Sequence, residues 1–116
     1  MTIRLKRAYE PAEPDDGQRF LVERLWPRGV RKEDLPLDAW LKELAPSPGL
    51  RTWFGHEPAK WPEFKRRYAA ELRANDAAVA PLRAAVRKGT VTLVYAARDT
   101  ERNSAALLRE YLLRAQ

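Results

Sequence analysis

The sequence predicts an α/β fold, a small and mainly parallel sheet with helices on both faces, forming one three-layer domain over residues 1–116. Three observations carry this. The run Thr90-Val91-Thr92-Leu93-Val94-Tyr95-Ala96-Ala97 is β-branched, aromatic and nearly all apolar, as a strand covered on both faces must be. Apolar residues at helical spacing follow it at Leu108, Tyr111 and Leu112, which makes a strand-helix unit. Several further helical patterns lie between this unit and two strand patterns near the N-terminus, and helices layered on a sheet are the simplest way to bury all of these faces.

The first strand is read from Ile3 and Leu5 alternating with Arg4 and Lys6. Pro11 to Gly17 reads as a loop, because proline, aspartate and glycine gather there for their turn conformations. A second strand is expected over Phe20-Leu21-Val22-Glu23-Arg24-Leu25-Trp26, ended by Pro27 and Gly29. Leu37, Trp40, Leu41 and Leu44 fall at i, i+3, i+4 and i+7, which predicts a helix closed by Pro46. Ser47-Pro48 then restarts a short helix, with serine at the N-cap, proline at the first helical position and Gly55 beyond its end. Trp61, Phe64, Tyr68 and Leu72 mark a longer helix. Val79, Leu82 and Val86 mark another, with Pro81 near its start and Gly89 at its end. Three strands are few for such a sheet, so a fourth is expected within a segment read as loop or helix.

Bulk composition narrows the classes of function. With 45% hydrophobic and 33% charged residues, the 116-residue chain has the makeup of a folded globule. There is no cysteine, which excludes disulfides, thiolate chemistry and cysteine-ligated metals and fits a cytoplasmic protein. The N-terminal basic residues lack a following apolar stretch, so no secretory signal is read, and no apolar run approaches a membrane span. The net charge of +6 points to an anionic partner, either a small molecule or a nucleic acid, or else to arginines spread over solvated faces. Acidic residues interleave the basic ones, which favours the solvated faces.

Ligands of open parallel sheets bind beyond the carboxyl ends of the strands. Two strand tails there carry polar residues. One supplies Arg24 and Arg28; the other supplies Tyr95, Arg98 and Asp99 and leads into a helix. Together they would form a cationic lip suited to phosphate or carboxylate. Each residue also has a structural role open to it. Asp99 suits the N-cap of the last helix, Arg24 suits pairing with a core carboxylate, and Tyr95 suits core packing. Trp26, Trp40, Trp53 and Trp61 read as core or pocket walls rather than base-stacking platforms.

His56 is the only histidine, placed between two helices, where it fits either a general acid or base or a helix C-cap. His56 and Asp99 are the candidate catalytic residues. With one histidine and no cysteine, no metal site is expected. GxGxxG, GxxxxGK[ST], HExxH and GxSxG are all absent, so no cofactor is expected. Neither serine, Ser47 or Ser104, lies on a strand-to-helix elbow between glycines, which argues against a Ser-His-Asp triad.

Leu25-Trp26-Pro27-Arg28-Gly29 resembles the signature of the YeaO-like proteins, small bacterial proteins of the domain-of-unknown-function family numbered 488. The likeness extends over nearly the whole chain, through Trp53-Phe54-Gly55-His56, Tyr95-Ala96-Ala97-Arg98-Asp99 and Asn103. It implies an α/β fold and a shared pocket, and no particular reaction. It places Arg24, Arg28, His56, Arg98 and Asp99 in the family pattern and adds Asn103 as a ligand-binding candidate. Two positions depart from that pattern. Glu23 stands where the family commonly has aspartate, and Ser104 stands where it commonly has histidine.

Overall fold

The computed structural model describes residues 1–114. Four strands form one sheet: β1 (Ile3–Arg7), β2 (Gln18–Leu21), β3 (Ala39–Trp40) and β4 (Val91–Tyr95). Their order is β1-β4-β2-β3, and every neighbouring pair is parallel. In register, Leu93 of β4 faces Leu5 of β1 on one side and Phe20 of β2 on the other. Parallel pairing sets all four carboxyl ends on one edge. As expected for a strand covered on both faces, Leu93 and Val94 are fully buried.

Four α-helices complete the chain: α1 (Pro48–Phe54), α2 (Trp61–Ala74), α3 (Asp76–Lys88) and α4 (Ser104–Arg114). All four pack on the same sheet face. Ile3, Phe20, Val22, Val91, Leu93 and Tyr95 share one core with Leu50, Tyr68, Leu82 and Leu108 from the helices. This departs from the expected helices on both faces.

The second face carries Ala8, Leu21 and Val94, packed with Trp40 of β3 and with Trp26, Val30, Leu35 and Leu37 from the connections. The connections that cover it, residues 8–17 and 22–38, are rich in proline, glycine and aspartate, which disfavours α-helix. The same face contains a charged cluster. Asp16 is fully buried and pairs with Lys6 Nζ at 3.0 Å, with Arg4 at 3.2 Å and with Arg19. Gly17 follows at φ 64°, and a Cβ there would lie 2.1 Å from the Thr90 carbonyl oxygen, so only glycine fits.

The helix expected over Leu37–Leu44 is absent. Ala39–Trp40 is instead the edge strand β3, followed by a 3-10 turn over Lys42–Leu44. Leu37 and Trp40 pack on one sheet face, while Leu41 and Leu44 pack on the other. The apolar spacing therefore serves two cores and not one helical stripe. This is also the fourth strand that the count of three lacked. The second strand is shorter than expected, because the chain turns away after Val22 donates its N–H to Val94.

Candidate functional site

A cleft of about 930 Å³ opens at the carboxyl edge, on the helical side of the sheet. Its base is Glu23 after β2 and Ala96-Ala97 after β4. Its walls come from the start of α1, the Phe54–Trp61 turn and the approach to α4.

The base is clamped from two directions. Glu23 Oε2 accepts the Ala96 N–H at 3.0 Å. Arg7 donates from Nε to the Ala97 carbonyl at 2.9 Å and from its second nitrogen to the Ala96 carbonyl at 3.3 Å. Both sides of the short strand tail that presents Arg98 are thereby fixed.

The α1 wall is set by Ser47. Its hydroxyl accepts the Leu50 N–H at 3.2 Å, the N-cap read from the sequence, and donates to Glu71 of α2 at 2.6 Å. The Ser47 N–H bonds the other Glu71 oxygen at 2.9 Å. Helix α1 is thus pinned to α2, and it carries Arg51 and Thr52 to the cleft. Gly55 ends α1 in the left-handed conformation, and His56 follows at φ 57°, the one non-glycine residue with positive φ among the described residues. This reversal sets the exposed imidazole 5.9 Å from the Phe54 ring. Phe54, Trp61 and Phe64 form an aromatic wall, with Phe54 and Phe64 stacked at 4.4 Å.

Of the residues expected at the site, His56, Arg98, Asp99 and Asn103 line the cleft. Asp99 accepts the N–H groups of Glu101 and Arg102, both at 2.9 Å. Those two bonds, Arg102 first, hold its carboxyl below the ordinary carboxylate range. Asn103 is buried and caps α4, accepting the Ala106 N–H at 2.8 Å and donating to the Asp99 carbonyl at 2.9 Å. Both side chains are thus engaged in forming the turn and cap that lead into α4.

Arg24, Arg28 and Tyr95 do not line the cleft. Arg24 lies behind its wall, donating to the carbonyls of Ala45 at 3.0 Å and Pro46 at 3.3 Å. Arg28 is exposed, seven residues past the end of β2, because β2 stops at Leu21. Tyr95 is buried in the helical core, where burial, with Glu10 adding, pushes its hydroxyl above the ordinary value. The structure adds Arg51 and Arg102 to the lining, both exposed. Arg51 could have been found from its place one turn into the capped restart at Ser47-Pro48.

Comparison with known proteins bears on this arrangement. The model of the family described as the inactive DUF488-N3 subclade matches residues 2–116. The chain belongs to the DUF488-N3i family. Among its relatives, the uncharacterized protein Rv3073c of Mycobacterium tuberculosis is 46% identical over 110 residues, covering 95% of this chain and 92% of the relative. The uncharacterized protein YeaO of Escherichia coli is 44% identical over 112 residues, covering 97% of each. No solved structure matches. The expected likeness to YeaO-like proteins thus holds along the whole DUF488-N3i chain.

Among the described residues, no helix is long and apolar enough to cross a membrane, and no group of three or more histidine or carboxylate side chains is placed to hold a metal ion.

Proposed function

We propose that the cleft binds an anionic or nucleotide-like small molecule and holds it without chemistry. The observation that carries this reading is the uneven charge of the lining. Arg51, Arg98 and Arg102 contribute three guanidiniums, against the carboxylates of Glu23 and Asp99, and the Asp99 carboxylate is engaged by backbone N–H groups. Guanidiniums grip phosphate or carboxylate in a bidentate manner, and an aromatic wall beside them suits a planar or ring-bearing ligand. The volume is in the range of small-molecule pockets.

Binding is favoured over catalysis by two things. The matched family is described as inactive. Of the two candidate catalytic side chains, Asp99 is engaged in the turn that leads into α4, and among the described residues no hydrogen bond orients the exposed His56 imidazole.

Thermal shift with inorganic phosphate, ribose 5-phosphate and AMP tests the proposal. A ligand present at about 100 times its Kd raises stability by about 2.7 kcal/mol, which such an assay resolves easily. Saturable stabilisation that disappears in Arg98→Ala is the expected result. No shift with any of the three anions overturns the reading.

A further inference from the structure

The cleft combines three guanidiniums with a carboxylate at its base, and that carboxylate bears on which anion it takes. Glu23 Oε2 is held by the Ala96 N–H, and among the described residues no other hydrogen bond or ion pair involves that carboxylate. A carboxylate offers about four acceptor sites. Glu23 therefore has an oriented, half-buried acceptor left over, at the base of the cleft. Asp99 differs in being exposed to solvent, with its Oδ1 already serving two backbone donors.

A ligand that meets Glu23 must bring hydrogen-bond donors. An ammonium group is one source, but three guanidiniums line the same space and repel it. Hydroxyls donate without that penalty. The wall of Phe54, Trp61 and Phe64 lines the same cleft and offers aromatic faces to the weakly positive C–H groups of a sugar ring.

Resting on the binding role proposed above, we infer that the cleft takes a sugar phosphate. Its hydroxyls donate to Glu23, and its phosphate is taken by Arg51, Arg98 and Arg102. Glu23 acts here as a specificity-determining residue that separates a hydroxylated phosphate ester from bare phosphate.

The test is calorimetric titration of the full chain with ribose 5-phosphate and with inorganic phosphate, repeated on Glu23→Gln. Glutamine keeps an oxygen for the Ala96 N–H and removes the charge. A hydrogen bond to a charged group contributes enough that ribose 5-phosphate should bind the native chain about tenfold tighter than phosphate. Glu23→Gln should move the two ligands in opposite directions. Ribose 5-phosphate weakens about tenfold as the charged acceptor is lost, while phosphate holds or tightens as a nearby negative charge is removed.

A merely structural Glu23 would weaken both ligands together, and that result overturns the inference. Equal affinity of the native chain for the two ligands also overturns it, even if Glu23→Gln does not fold, and leaves the anion-binding role standing. Binding of neither ligand removes both readings.

Discussion

Ser47 and Glu71 form a closed pair: the serine presents both its N–H and its hydroxyl to the two oxygens of one carboxylate, at 2.9 and 2.6 Å. The pair joins the first turn of α1 to the third turn of α2. Glu71→Ala leaves two half-buried donors without their charged acceptor, which should cost about 2–3 kcal/mol. Chemical denaturation should show this as a lower midpoint with an unchanged slope. Anion affinity should fall as well, because α1 carries Arg51.

Acid should unfold the protein in part through Asp16. Burial pushes its carboxyl up. The Glu13 N–H and the Lys6 and Arg19 side chains outweigh that, and the net shift is below the ordinary 3.8. The folded chain then holds its proton less tightly than the unfolded one. The stabilisation is complete above that ordinary value and is lost as the pH falls through the lower, folded value. Asp16→Asn should flatten this acid limb. At neutral pH it should cost about 3 kcal/mol, since Arg19 stays buried without its counter-charge while Lys6 keeps only the exposed Glu13. Urea titrations at pH 7 and at pH 3 distinguish the two effects.

Gly17→Ala should destabilise by about 3 kcal/mol, combining a positive φ with a backbone clash against Thr90. His56→Gly should act oppositely at its own positive φ, leaving stability unchanged or raising it by up to about 1 kcal/mol. If the imidazole contributes to the cleft, the same variant loses anion affinity while its melting temperature holds.

DNA should bind only at low salt. Four of the ten exposed arginines are matched by acids close by: Arg31 with Asp34, Arg66 and Arg67 with Glu63, and Arg114 with Glu110. Three of the others, Arg51, Arg98 and Arg102, line the cleft, which leaves few unmatched guanidiniums on open surface. A filter-binding series with a short duplex should therefore lose all binding by physiological salt. Retention there would favour a nucleic-acid partner.

The strands and caps with a strong local cause were legible in the sequence. The apolar run of β4 and the Ser47-Pro48 restart each owe their form to residues within a few positions. Segment 37–44 was not, because its apolar residues divide between two sheet faces, and only the fold tells which face each one serves. The cleft was legible through the tail of β4, where Arg98, Asp99 and Asn103 follow a strand whose end could be placed. Arg28 was misplaced because the end of β2 was set at Trp26 and the chain leaves the sheet at Val22. Arg7 left no signal, since its partners are backbone carbonyls some ninety residues away.

The strand order has a consequence for how the molecule comes into being. β1 and β2 emerge within the first 21 residues, yet they do not pair with each other; β4, which starts at Val91, lies between them. During synthesis both early strands, apolar on their inner faces, have no hydrogen-bonding neighbour between them until the last quarter of the chain arrives. The sheet cannot grow outward from the N-terminus. It closes in a late step that joins distant parts of the chain, and pairings at such separation are slow to form. A ribosome-bound chain stalled before β4 would hold β1 and β2 as open edges, the state in which this protein is most exposed to pairing with the wrong partner.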